Sequence, residues 1–155
     1  IGDSRATDMV NEGMYNIGEL VRIEHPNNEV VLVGFGSYKG TVIAGKSWGA
    51  EMKKMELPEA KQQSLEHLFH MAGKTNRLLI TEEIMNNDLF MENHISHRAV
   101  GVVYHPAYEQ YGNYVPTILP LRYDAFIHID ETRALYPLHI KPDGHQVPET
   151  YPFGF

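Results

Sequence analysis

Two runs of β-branched and aromatic residues limit the folds open to this chain. Residues 29–35 contain Val30, Val31, Leu32, Val33 and Phe35, and residues 123–129 contain Phe126, Ile127 and Ile129. A strand with one wet face alternates polar with apolar residues. A run without that alternation is expected to be buried on both faces, as in parallel or mixed sheets covered by helices. Residues 99–104 (Ala-Val-Gly-Val-Val-Tyr) read as another buried strand, stopped by Pro106. Residues 77–81 read as a shorter one. Residues 51–57 set Met52, Met55 and Leu57 among Lys and Glu, the pattern of an edge strand.

Helical spacing fills the intervals. Leu65, Leu68, Phe69 and Ala72 make one face of a helix within residues 58–73, with Gly73 as its stop. Residues 3–25 read mainly as helix, with Ile17, Leu20, Val21 and Ile23 as its apolar side. Asn16 is its cap, Gly13 a break, and Pro26-Asn27-Asn28 the closing turn. Residues 82–97 fit no single element. Residues 108–120, rich in Tyr, Gly, Asn and Pro, read as a long substrate-facing loop. The expected class is α/β, with a largely parallel or mixed sheet flanked by helices. One domain is expected over residues 1–137, followed by an irregular tail over residues 138–155.

Charge and composition narrow the function. The net charge of −7 argues against nucleic acid as a partner, because phosphate binding needs a basic surface. No apolar run is long enough to span a membrane. Cysteine is absent, which removes thiol nucleophiles, thiolate metal sites and disulfides and fits a cytoplasmic location. Position 1 is Ile, so the chain reads as cut from a larger protein, with an N-terminal half as its natural partner.

Chemistry concentrates after Tyr123, where His128, Asp130, Glu131 and Arg133 follow an apolar strand. Ligands of α/β folds sit at the carboxyl ends of strands. Strand alternation puts His128 and Asp130 on one face, where a carboxylate can fix the tautomer of a general-base imidazole. The alternative is a core histidine, with Asp130 capping a helical turn that includes Arg133.

The segment Gly34-Phe35-Gly36-Ser37-Tyr38-Lys39-Gly40 reads as a glycine-rich turn at a strand end. There backbone N–H groups can approach an oxygen, or the turn is simply tight. It lacks the Gly-Lys-Ser/Thr of a phosphate loop and the glycine spacing of a dinucleotide fingerprint. The pairs His67/His70 and His94/His97 have the spacing of metal ligands but no third ligand or zinc-protease glutamate. No Gly-x-Ser-x-Gly elbow occurs.

Several segments in order carry a family resemblance. They are residues 2–9 with 16–21, Val33-Gly34-Phe35-Gly36 with Gly40-Thr41-Val42, residues 99–104, and residues 127–135. Together they resemble the C-terminal part of the erythromycin esterase family, whose homologues include proteins labelled as succinoglycan biosynthesis proteins. The resemblance implies a hydrolase for a macrolide lactone or related ester, in which histidine-activated water attacks the carbonyl without metal or cofactor. It implies a His-Asn-x-His motif just before Gly2, holding the base. It makes Asp3, Arg5, His128 and Glu131 the residues lining or supporting the catalytic centre. Gly36, Tyr38 and Thr41 are expected against the substrate, with Tyr111 and Tyr114 from the aromatic loop. The alternative reading is a non-catalytic module binding a small molecule or carbohydrate through Tyr104, Tyr108, Tyr111 and Tyr114.

Overall fold

The computed structural model describes residues 2–26 and 29–135; the expected tail lies outside the described residues. Where a helix was expected from residue 3, the chain makes two 3-10 turns, Ser4–Ala6 and Asp8–Glu12. The side chains of Asp3 and Thr7 each accept from a backbone N–H two residues on, a local bond that competes with the α-helical ladder. Gly13, at φ 67°, ends this stretch. The helix proper, α1 (Ile17–Glu24), begins where the Asn16 side chain accepts from the Glu19 N–H.

α1 docks by its polar side. Ile17, Leu20 and Ile23 are exposed, whereas Gly18 and Glu19 are buried. The Ser4 hydroxyl donates to Glu19 at 2.5 Å, and Arg22 reaches Asp3, Asp124 and the Leu121 carbonyl.

The remaining elements follow in chain order: β1 (Val33–Ala44), β2 (Lys53–Leu57), α2 (Leu65–Met71), β3 (Arg77–Ile80), α3 (Asp88–Met91) and β4 (Ile95–Arg98). Then come α4 (Glu109–Gly112), β5 (Tyr114–Thr117), α5 (Leu119–Arg122) and β6 (Ala125–Thr132). The main sheet has the order β2-β1-β6-β3. β1 and β6 run parallel from Val33↔Ala125 to Gly40↔Thr132, while β2 and β3 pair antiparallel on either side. The α/β class with a mixed sheet is therefore as expected, with β2 on the edge.

The glycine-rich segment is not a turn: β1 runs straight through it. A Cβ on Gly34 would lie 2.7 Å from the Tyr123 ring, and one on Gly36 2.7 Å from Phe126 and 2.9 Å from Glu66 Oε1. These glycines let the aromatic core sit directly on the strand. Gly40, at φ 135°, marks the point where β1 passes from β6 to β2.

One face of the sheet carries Gly34, Gly36, Tyr38, Phe126 and His128 inward beneath α2. The other face leaves Val33, Phe35, Leu78 and Ile80 exposed, Phe35 at 61%, so the expected burial on both faces is not found among the described residues. β4 and β5 form a separate antiparallel pair, and α2 packs against β4 as well as against β1 and β6. Leu65, Ile95, Leu119, Tyr123 and Phe126 form the main core, with Leu68, Phe69 and Leu79 against it.

Residues 99–104 are not the expected strand. Pairing stops at Arg98, and beyond it Val103 makes only an isolated bridge with Gly45. Arg98 itself turns inward and donates to Glu109, to the Tyr114 oxygen and to the carbonyls of Ser37, Tyr38 and Pro58. The expected loop at 108–120 is instead α4, β5 and the start of α5.

Candidate functional site

An open cleft of about 840 Å³ lies where Val30 and Val31 lead into β1 and Asp124 and Ala125 enter β6. This is the amino end of the parallel pair, opposite to the end that sequence reasoning favoured. The first 3-10 turn places Asp3 and Arg5 on its wall, and α1 adds Arg22 and His25.

The charges form a chain. The Asp3 carboxylate accepts from the Arg5 backbone N–H at 3.0 Å, from Arg5 Nε at 3.0 Å and Nη2 at 2.7 Å, and from Arg22 Nη1 at 3.3 Å. Burial alone would raise its pKa. The hydrogen bonds from Arg5 and the charges of Arg5 and Arg22 overcome that and hold it below the ordinary carboxylate value. The same bond to Asp3 raises the pKa of Arg5. Arg22 extends the chain to Asp124 at 2.8 Å, and Asp124 anchors the Leu32 N–H at 2.6 Å. Asp3 is buried, whereas the Arg5 side chain keeps 49% of its exposure. A fixed, accessible guanidinium therefore stands beside apolar walls from Val31, Ile80 and Leu121. Such a site can seat an apolar body and stabilise negative charge developing on an oxygen. His25, which sequence reasoning missed, also lines the cleft. Its Nδ1 lies 3.6 Å from Glu29 with both side chains mostly exposed, so no hydrogen bond fixes the ring.

The residues expected at the end of β6 lie elsewhere. At about 3.3 Å per residue, Glu131 is about 20 Å along the strand from Ala125 at the cleft. His128 and Asp130 share the inner face, as alternation requires. His128 is fully buried, its ring stacked on Phe69 at 5.3 Å. Burial pushes its pKa below the ordinary imidazole value, against the opposing effect of Asp130. The Asp130 carboxylate, 3.6 Å away, bonds instead to Nδ1 of His70 at 2.7 Å. β6 continues to Thr132, so Asp130 caps no helix.

Glu131 is exposed, and with Thr41 and Arg133 it lines a separate hollow of about 400 Å³. Gly36 and Tyr38 are buried, with Tyr38 stacked on His70. Tyr111 is exposed. Tyr114 has its hydroxyl in a network with Glu109, Arg98 and Lys61, and both Lys61 and Arg98 approach its ring. Asp3 and Arg5 are thus brought together, while His128 and Glu131 are each apart from them.

Glu66 was also missed. It is fully buried on α2 and accepts from His97 Nδ1 at 2.6 Å and from the Arg98 N–H at 3.1 Å. Burial would raise its pKa, but the His97 bond and charge keep it lowered. The histidine spacings do not build a ligand set: His70 pairs with Asp130, His97 with Glu66, and His94 is exposed. Among the described residues no group of three or more His, Asp or Glu is placed to hold a metal ion.

The family model described as erythromycin esterase matches residues 1–132. A solved structure of a succinoglycan biosynthesis protein superposes with a TM-score of 0.59 at 13% identity, over 79% of this chain and 29% of that one. A Bacillus cereus protein superposes with a TM-score of 0.60 at 15% identity, over 83% and 31%. At such identities the likeness concerns the fold. The chain spans less than a third of the length of either protein. Among the described residues no helix is long and apolar enough to cross a membrane.

Proposed function

The chain belongs to the erythromycin esterase family, and from that premise we propose that it forms part of a hydrolase acting on a macrolide lactone or related ester. The observation that carries the reading is Arg5: half exposed, fixed by Asp3, and set in a cleft with apolar walls. In the proposed reaction a histidine takes a proton from water as the water oxygen attacks the ester carbonyl. Arg5 stabilises the resulting oxyanion. The carbonyl–oxygen single bond then breaks, and the proton passes to the leaving alkoxide, giving an acid and an alcohol. Asp3 and Arg22 act as positioning residues. Neither His25, which is unfixed, nor His128, which is enclosed, is assigned as the water-activating histidine of the cleft.

The test is hydrolysis of a panel of macrolide lactones and simple esters by the full natural polypeptide. Arg5→Ala is expected to lower kcat/KM about 100-fold, the effect of losing one oxyanion donor. Arg5→Lys should recover part of that, and His25→Ala should stay near wild type. A folded wild-type protein that turns over no member of the panel would overturn the reading.

A further inference from the structure

We propose that His70 and Asp130 form a second proton-transfer site, in which Nε2 of a neutral His70 accepts a proton from water attacking a small uncharged ester. It shares no residue with the cleft, and Asp130 lies about 17 Å along β6 from Ala125. The inference does not rest on the cleft reading.

The bond between Asp130 Oδ1 and His70 Nδ1 is 2.7 Å. A carboxylate only accepts, so Nδ1 carries the hydrogen and a neutral ring keeps its lone pair on Nε2. That is the tautomer a base requires. The ring is held flat against Tyr38, with centroids 3.6 Å apart and planes 9° apart. Asp130 is fixed in turn, its backbone N–H donating to Asn76 at 3.0 Å.

Comparison with the other carboxylate-paired histidines singles out this pair among the described residues. His97 is bonded to Glu66 as closely, but the two side chains are 4% and 0% exposed. His25 is open but lies 3.6 Å from Glu29. His70 and Asp130 combine a short bond with 13% and 15% exposure. His128 stands behind them, fully buried, with neither ring nitrogen hydrogen-bonded and the nearer one 3.6 Å from the same Asp130 oxygen. Its burial disfavours the charged ring, which leaves the Asp130 charge to His70. The low exposure of the two side chains favours a small substrate, and the carboxylate disfavours an anionic one.

In the step, the water oxygen bonds to the acyl carbon as its proton moves to Nε2. The ester C–O bond then breaks, and the imidazolium returns the proton to the leaving oxygen or to solvent.

The probe is p-nitrophenyl acetate, used with the full natural polypeptide carrying Arg5→Ala so that turnover in the cleft is suppressed. His70→Gln is expected to lower the remaining rate at least about tenfold, within the range for loss of a general base. Asp130→Asn should lower it less, and His94→Gln should leave it unchanged. A readout independent of turnover is the ¹⁵N spectrum of the imidazoles. Neutral His70 should carry its proton on Nδ1 in the parent, and Asp130→Asn should shift it towards Nε2. A folded His70→Gln protein that keeps the parental rate, or a parent ring protonated on Nε2, would overturn the proposal.

Discussion

Replacing Gly36 with alanine tests whether this glycine serves packing. The new Cβ would lie 2.7 Å from the Phe126 ring, about 1 Å inside the optimal carbon–carbon separation. Phe126 has little room to retreat, being fully buried between Phe69 at 5.5 Å, His97 at 5.3 Å and Tyr123 at 6.0 Å. The Cβ would also lie 2.9 Å from Glu66 Oε1, the atom that accepts from His97. Overpacking of this kind costs about 1–3 kcal/mol. Alanine recovers about 0.4–1 kcal/mol by restricting the unfolded chain. The expected net loss is about 1–2 kcal/mol, or about 2–8 °C in Tm for a domain of this size. The assay is urea and thermal unfolding beside Gly112→Ala, where an added Cβ meets nothing within 4 Å. Gly112→Ala should gain about 0.4–1 kcal/mol, because the same restriction of the unfolded chain meets no clash there. Equal effects at the two glycines would refute the packing argument.

Arg98→Met should cost about 3–5 kcal/mol, because it leaves the buried Glu109 carboxylate without its cation. Urea midpoints would measure this, and a loss under about 1 kcal/mol would show that the pair is not a structural anchor. Acid should weaken the fold in two stages. The lowered imidazole of His128 means that the unfolded chain takes its proton first, so stability falls as pH drops below about 6.5. The lowered carboxyl of Asp3 contributes stability that is present above about 3.9 and lost as pH falls through its folded value. Unfolding midpoints at pH 7.5 and 5.5 should differ less in His128→Leu than in the parent; an unchanged difference would assign the upper stage to another group.

What was legible in the sequence was local. The apolar runs located β1 and β6, and the spacing of Leu65, Leu68 and Phe69 located α2. Alternation placed His128 and Asp130 on one face. Long-range pairing was hidden. The partner of Asp130 is His70, 60 residues earlier, and nothing near either residue signals the other. Glu66 looks in sequence like a solvated helix position, yet His97 makes it a core residue. Periodicity found α1 but not which side docks, because Glu19 and Arg22 outweigh Ile17, Leu20 and Ile23 there. Val100, Val102 and Val103 have strand composition, but the ladder ends at Arg98 and Val102 faces outward.

The inward turn of Arg98 has a dynamic consequence. One guanidinium joins the middle of β1, the segment before α2 and the 109–114 region, while its own strand pairs with β5. Segments linked in this way cannot open independently without leaving charged or carbonyl groups unpaired in the interior. They should therefore open as one unit, so that slow amide exchange near Tyr38 and near Tyr114 reports the same event although the two stretches never share a sheet.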